Sequence, residues 1–199
     1  MSQKILYLHG FSSSGASGTV LTLRNMLYEK EVFVVAPDLP VSPRETLDLL
    51  RTLVEQEQPD LIIGTSMGAM YAELLRGRRR ILVNPSFHMA RSLTFKGLGK
   101  RPLLNKRADG AKEFMVDKAM IEEFKQLEKE LSLQGVDDTE RVLVYGLFGK
   151  NDTVANCQKD YLKHYGKEHF VLFDGEHHLN DKVISKVLKP LIYQLLSIS

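Results

Sequence analysis

Short apolar runs alternate with longer amphipathic segments along most of the chain, and this alternation restricts the folds that it can adopt. Buried strands are predicted over residues 4–10, 32–37, 60–66, 79–85, 141–149 and 169–175. Helices are predicted over 18–30, from 43 to Pro59, over 67–76, about 153–165 and about 180–197, with Pro190 as a kink or restart. Strands that alternate with helices predict an α/β fold with a mostly parallel sheet and helices on both faces.

The alternation is interrupted once, over residues 86–140. This stretch contains a loop rich in Gly, Lys and Arg, followed by a helix in which Met120, Phe124, Leu127 and Leu131 share one face. An insert between two core strands is a candidate lid over a site, or a packed helical excursion. The chain otherwise suits one domain spanning residues 1–199, with an ample core for its length.

Composition and charge argue against several classes of partner. The formal net charge is only +2, and the basic runs at 77–80 and 96–107 have no interleaved aromatic residues for base stacking, so we expect no nucleic-acid partner. No run of 18 apolar residues occurs, which predicts no membrane span. The first residues lack a signal peptide, and the one cysteine, Cys157, is expected to be an ordinary helix residue in a cytoplasmic protein.

The segment Gly64-Thr65-Ser66-Met67-Gly68 fits the pattern G-x-S-x-G and lies between a predicted strand and a predicted helix. In this context the serine occupies a tight, strained turn that projects its hydroxyl beyond the sheet edge. The N–H groups at the start of the following helix face any negative charge that develops there. Ser66 is therefore the candidate nucleophile; the alternative is a glycine-rich turn with an idle serine.

A nucleophilic serine needs a histidine base and a carboxylate that orients the base, and after such a turn both follow at the ends of later strands. Asp152 follows the fifth predicted strand and is the favoured acid, with Asp160 and Asp174 as alternatives. His177 and His178 both follow the last predicted strand, and the spacing Gly-x-His favours His177 as the base.

An oxyanion hole needs two backbone N–H donors. We expect one from Met67 and the other from Phe11 in the loop at 8–18, where Gly10 lets the backbone approach closely. His9 is expected to shape this loop rather than to act in catalysis. The other histidines are expected to be surface or packing residues: His88, His164 and His169.

No cofactor and no metal are expected from these patterns. The glycine-rich segments lack the Lys-Ser/Thr of a P-loop and the G-x-G-x-x-G of a dinucleotide-binding fold. No group of histidine, cysteine and carboxylate residues has the sequence spacing of metal ligands.

Four segments, LYLHGF, GTSMG, GKNDTV and GEHH, resemble the α/β-hydrolase superfamily and, more narrowly, the small bacterial esterases named for YqiA. The resemblance covers nearly the whole chain. It implies a triad of Ser66, Asp152 and His177, with Phe11 and Met67 at the oxyanion hole. The chain departs from the pattern in an acid three residues past its glycine and in the doubled histidine.

These observations predict a serine hydrolase that cleaves a carboxylic ester or a thioester of a small-molecule acyl substrate through an acyl-enzyme intermediate. Two alternatives stay open. One is another acyl-transfer or C–C hydrolase that uses the same three residues. The other is a non-catalytic binding protein with the same fold, against which the presence of all three residue types argues.

Overall fold

Six strands run parallel in one sheet within residues 2–131 and 135–198, which are the residues that the computed structural model describes. The strands of the chain are β1 (Gln3–Leu8), β2 (Val32–Val35), β3 (Leu61–Thr65), β4 (Arg80–Val83), β5 (Gly99–Pro102), β6 (Glu113–Val116), β7 (Val144–Gly149) and β8 (Phe170–Phe173). The sheet order is β2-β1-β3-β4-β7-β8, and β5 and β6 form a separate antiparallel hairpin. The predicted mostly parallel sheet is therefore confirmed.

Helices cover both faces of the sheet, as predicted. They are α1 (Gly18–Leu27), α2 (Pro43–Glu57), α3 (Met67–Leu74), α4 (Met89–Lys96), α5 (Lys118–Glu130), α6 (Asp138–Arg141), α7 (Gln158–Tyr165), α8 (Asp181–Val183) and α9 (Lys189–Leu196). The buried side chains of α1 and α9 pack with one face of the sheet, and those of α2, α3, α4, α5 and α7 pack with the other. In residues 2–131 and 135–198, no helix combines the length and the hydrophobicity that crossing a membrane requires.

Two predictions about helix ends, at Ser42 and near Pro190, are confirmed by the structure. Ser42 caps α2 by accepting a hydrogen bond from the Glu45 N–H, with Pro43 in the first helical position, as predicted. The last predicted helix is interrupted before Pro190, because a π-helical turn over Ile184–Leu188 separates α8 from α9. Proline has no N–H with which to continue a regular ladder, so the predicted restart is found.

The register of the parallel strands brings their carboxyl ends to one edge. Leu8 of β1 pairs with Gly64 of β3, and Val83 of β4 pairs with both Thr65 of β3 and Leu147 of β7. The loops that follow these strands therefore meet above the same edge. In open parallel sheets this edge is where ligands bind.

The insert at 86–140 contains more regular structure than predicted. Besides the predicted helix, which is α5, it contains α4, the hairpin of β5 and β6, and the short α6. The segment that joins the two hairpin strands hydrogen-bonds to the loop after β1: Leu104 N–H donates to Ser12 O, and the Ser14 hydroxyl donates to Lys106 O. These contacts hold the insert against the loop that was predicted to supply an oxyanion donor.

Candidate active site

Ser66 lies in a strained backbone conformation between β3 and α3. Its φ is 55° and its ψ is −117°, a positive-φ conformation that non-glycine residues rarely adopt. The preceding strand is buried and α3 begins directly after the serine, so neither neighbour can relax the turn. The G-x-S-x-G pattern predicted a strained turn here, and the backbone angles confirm it.

The two glycines of the G-x-S-x-G pattern are required by close packing. A Cβ on Gly64 would lie 2.4 Å from Gly68 O, and a Cβ on Gly68 would lie 2.1 Å from Leu8 O. Both distances are far below van der Waals contact. The glycines therefore let α3 start against the end of β1, which fixes the direction in which Ser66 points.

The side chains of Ser66, His177 and Asp152 form one hydrogen-bonded chain. His177 Nε2 is 2.9 Å from Ser66 Oγ, and His177 Nδ1 is 2.8 Å from Asp152 Oδ2. An ionised carboxylate can only accept, so Nδ1 carries the ring proton and Nε2 accepts from the serine hydroxyl. The structure thus brings together three candidates that are far apart in the sequence.

Backbone donors hold the second oxygen of the Asp152 carboxylate. Asp152 Oδ1 accepts from the N–H groups of Val154 and Ala155, at 2.7 and 3.1 Å. The side chains of Asp152 and His177 are only 3% and 6% exposed. The carboxylate therefore has a fixed orientation, with one oxygen on the loop backbone and one on the imidazole.

The structure separates the favoured residues from their alternatives. His178 is exposed, and its ring meets the ring of His177 edge-on at 5.3 Å between centroids. Asp160 lies in α7, where its carboxylate is 3.0 Å from His88 Nε2, and Asp174 is exposed after β8. Among these residues, it is His177 that contacts the Ser66 hydroxyl, and Asp152 whose carboxylate contacts His177.

Asn84, which the sequence analysis did not single out, ties the loops of the site together. Its amide Nδ2 donates to the carbonyl groups of Glu176 and His177, both at 2.9 Å, and its Oδ1 accepts from the Gly149 N–H at 2.7 Å. The side chain is buried, and its φ of 43° turns the chain at the end of β4. Asn84 therefore connects the loop that carries His177 with the end of β7.

Ser86 is a second residue that sequence reasoning missed. Its Oγ is 3.1 Å from Ser66 Oγ, and its N–H donates to Ser66 O at 3.1 Å. Because the Ser66 hydroxyl hydrogen is directed at His177, Ser86 is the donor between the two hydroxyl groups. The only signal in the sequence is its place two residues after Asn84 at a strand end, which did not distinguish it from other loop serines.

The loop after β1 lies directly against the serine. A Cβ on Gly10 would lie 3.4 Å from Ser66 Cβ, so the backbone between Gly10 and Phe11 passes close to the nucleophile. Met67 is the first residue of α3, where N–H groups have no partner within the helix. These positions are the ones from which Phe11 and Met67 were predicted to donate.

His9 has the structural environment that was expected for it. Its Nδ1 is 2.8 Å from Gly10 O, and its Nε2 accepts from the Leu39 N–H at 3.1 Å. Burial lowers the pKa of the imidazole below its ordinary value, which favours the neutral ring. His9 therefore fixes the loop after β1 to Leu39, in the segment between β2 and α2.

Ser66 lines two open cavities. One, of about 790 Å³, is walled by hydroxyl-bearing residues of the loop after β1 and by His177. The other, of about 1020 Å³, is walled by α4 and by the loop after β7, with Met89, Leu93 and Phe95 among its apolar residues. The nucleophile candidate thus borders two cavities, of which the second is the more apolar.

One group of side chains near the second cavity could hold a metal ion. Ligand atoms of His88, Cys157 and Asp160 lie within 4.8 Å of one another. Cys157 is buried at the start of α7, and burial raises the pKa of its thiol to about 11, so it is not an activated nucleophile. Sequence spacing had predicted no metal, since His88 is far from the other two residues in the chain.

Residues 4–194 match the uncharacterised protein family UPF0227. Est1E from Butyrivibrio proteoclasticus superposes with a TM-score of 0.71 at 15% identity, over 98% of this chain and 88% of that protein. The Paleococcus ferrophilus monoacylglycerol lipase superposes with a TM-score of 0.65 at 15% identity, over 98% of this chain and 95% of the lipase. The esterase domain of a Rhodothermus marinus protein superposes with a TM-score of 0.61 at 19% identity, over 97% of this chain and 87% of that chain.

Proposed function

The chain belongs to the uncharacterised protein family UPF0227, within the α/β-hydrolase superfamily, and from this premise we propose that it is a serine hydrolase of carboxylic esters or thioesters. The observation that carries the proposal is the hydrogen-bonded chain from Ser66 through His177 to Asp152. The names of the similar structures, an esterase domain and a lipase among them, support the same reaction class.

In the proposed reaction Ser66 Oγ attacks the acyl carbonyl while His177 Nε2 takes the hydroxyl proton. Asp152 holds the imidazole in the tautomer that leaves Nε2 free to accept, and it stabilises the imidazolium that forms. The protonated ring then returns the proton to the leaving alcohol or thiol. The acyl group is left on Ser66 as an ester.

The N–H groups of Phe11 and Met67 would stabilise the oxyanion of each tetrahedral intermediate, a contribution that typically corresponds to about 10²–10³ in turnover per donor. Water, activated by His177, then releases the acyl group and restores the serine. Besides the substrate and this water, these steps use only side chains and backbone groups of this chain. They require no cofactor.

In this proposal the chain is one domain, and the insert at 86–140 is a lid over its active site. Helix α4 walls the larger cavity at Ser66, and the segment between β5 and β6 is hydrogen-bonded to the loop that contains Phe11. The partner is a small-molecule acyl substrate. We also propose a cytoplasmic location, since the one cysteine of the chain is a buried free thiol that cannot form a disulfide within the chain, a composition typical of proteins in reducing compartments.

The proposal is tested by labelling the full-length protein with a fluorophosphonate, which reacts with activated serines and needs no knowledge of the substrate. We expect labelling of the wild type and none of Ser66→Ala. His177→Ala should lose labelling by a factor of about 10³ or more, because the residual reaction lacks its general base.

His178→Ala is the matched control, since it removes a neighbouring exposed imidazole that does not touch the serine. Its labelling rate should equal that of the wild type. Absence of labelling in folded wild-type protein would refute an activated serine and favour a non-catalytic binding protein. Labelling that survives His177→Ala but not His178→Ala would assign the base to the other histidine.

A further inference from the structure

His88, Cys157 and Asp160 come together at the carboxyl edge of the sheet, beside but separate from Ser66, His177 and Asp152. His88 directly precedes α4, Cys157 directly precedes α7, and Asp160 lies in the first turn of α7. One ligand atom from each residue lies within 4.8 Å of the others. His88 and Cys157 also line the larger cavity, which Ser66 lines as well.

Local structure explains why these three side chains converge. Cys157 and Asp160 are three residues apart at the start of a helix, so their side chains lie on one face. The loop after β4 brings His88 to that face, where its Nε2 is 3.0 Å from Asp160 Oδ2. Two independent segments of the chain therefore supply the donors, as in many protein metal sites.

One of the three side chains is buried and the other two are exposed, which suits metal binding. Cys157 is 4% exposed and fixes one position, whereas the side chains of His88 and Asp160 are 58% and 41% exposed. Zinc ligands lie about 2.0–2.3 Å from the metal. The two exposed side chains can turn inwards towards the sulfur, which would close the present separations without a change in the core.

The charges around the sulfur favour a cation. The carboxylates of Asp160, Asp152 and Glu128 all act electrostatically on the Cys157 thiol. Basic groups on the cavity wall include Lys125, which is paired with Glu122 at 3.2 Å, together with Arg91 and Lys96. The charged groups that act on the sulfur are therefore negative.

We propose that His88, Cys157 and Asp160 form a binding site for a divalent transition-metal ion of the zinc class. Imidazole, thiolate and carboxylate together select a borderline-soft ion over magnesium or calcium, which take oxygen ligands. On binding, the Cys157 thiol releases its proton to solvent as the sulfur–metal bond forms, and coordination replaces the His88–Asp160 hydrogen bond.

Three protein ligands leave a fourth tetrahedral position for water or for an oxygen of a bound molecule. At this site that position would face the larger cavity, because His88 and Cys157 form part of its wall. The metal would thus contact a molecule held beside Ser66 without touching Ser66, His177 or Asp152. The inference does not depend on the proposed hydrolase activity.

Titration of EDTA-treated full-length protein with Co²⁺ tests the site by absorption spectroscopy. A thiolate–Co²⁺ bond gives an intense near-ultraviolet charge-transfer band, and tetrahedral Co²⁺ gives visible bands. Since Cys157 is the one cysteine of the chain, any such charge-transfer band comes from it. We expect both bands to saturate at equimolar Co²⁺ and Zn²⁺ to displace them.

Variants assign the ligands. Cys157→Ser should abolish the charge-transfer band, and His88→Ala and Asp160→Asn should each weaken Co²⁺ affinity by at least about tenfold, the smallest effect typical of groups that support a metal site. His164→Ala is the matched control, because it removes an imidazole from the same helix and should leave the affinity unchanged. Far-UV circular dichroism of each variant checks that it is folded.

Two results would overturn the proposal. One is the absence of a charge-transfer band in folded wild-type protein at saturating Co²⁺. The other is a band whose affinity is the same in the wild type, His88→Ala and Asp160→Asn, which would mean that the sulfur alone binds the ion. Fluorophosphonate labelling is read separately, so failure of the metal site and failure of the proposed hydrolase activity are distinguishable.

Discussion

At the scale of single residues, the environment of Ser66 contains more than the base and acid that its motif predicts. The strained backbone aims the hydroxyl, His177 accepts its hydrogen, and Ser86 donates to its oxygen. A donor to the serine oxygen fixes its rotamer and stabilises negative charge as the proton leaves. Ser86 is therefore a positioning residue in the proposed reaction.

Replacing Ser86 by alanine should slow fluorophosphonate labelling of Ser66 by about threefold to tenfold, the range expected for loss of one neutral hydrogen bond. The rate constant for labelling, measured against probe concentration and across pH, checks this. The rate at each pH should fall while the midpoint of thermal unfolding stays close to that of the wild type.

Ser92→Ala provides the control for this prediction. Ser92 lines the same cavity as Ser86, and its side chain has no contact with Ser66 among the described hydrogen bonds. Equal labelling rates in the wild type and in both variants would show that the Ser86 hydroxyl does not act on the nucleophile.

At the scale of secondary-structure elements, the turn between β3 and α3 depends on how closely α3 approaches β1. Gly68 is in the first turn of α3, and its Cα faces the carbonyl oxygen of Leu8. That carbonyl belongs to a buried central strand and cannot shift without breaking the sheet. A side chain at this position must therefore displace the helix and, with it, Ser66.

Gly68→Ala should lower the free energy of unfolding by about 1–3 kcal/mol, the range of overpacking in a well-packed core, and should abolish labelling of Ser66. Urea unfolding measures the first effect. Gly18→Ala is the control, because a Cβ at the start of α1 meets nothing within 4 Å. Unfolding free energies that are equal in the two variants would contradict the packing argument.

At the scale of the whole molecule, a buried charged network links α3, β4, α6 and α7. Arg80 is ion-paired with Glu140 and donates to the backbone carbonyl of Glu73, whose carboxylate accepts from the Tyr165 hydroxyl. Glu73 and Arg80 are almost completely buried, and Glu73 Oε2 and Arg80 Nε have no hydrogen-bond partner in the described part of the chain. This network makes global stability depend on pH.

Burial raises the pKa of Glu73 above its ordinary value of 4.5, although Arg80 opposes the shift. The folded state therefore binds more protons than the unfolded state between 4.5 and the raised pKa. The contribution of Glu73 to stability is then largest at acidic pH and is lost as pH rises through that window.

Glu73→Gln cannot ionise, so its stability advantage over the wild type should grow from about pH 5 to about pH 8. Urea unfolding of both proteins at the two pH values measures this. Glu140→Gln should instead lower the free energy of unfolding, by about 3–5 kcal/mol, because it removes the carboxylate that is ion-paired with the buried Arg80 guanidinium. A difference between Glu73→Gln and the wild type that is constant with pH would refute the argument.

The sequence by itself determined the fold class, because strand-length apolar runs alternating with amphipathic helices have few ways to bury their faces. It also determined the nucleophile candidate, since a serine between two glycines at a strand–helix junction is a local pattern. The predicted helix start at Ser42 and the restart near Pro190 were likewise confirmed, because caps and proline act through neighbouring residues.

Only the tertiary structure decided what depends on contacts between distant segments. It selected His177 over His178 for contact with Ser66 and Asp152, and it brought Asn84 and Ser86 to the same edge. It also showed α4 and a hairpin where the insert was expected to contain a loop before its helix, and it brought His88 to Cys157 and Asp160. Hydrophobic periodicity indicates which face of a helix or strand is buried. Whether two side chains meet at the edge of the sheet depends on strand register and on the path of the loops, which no local sequence pattern predicts.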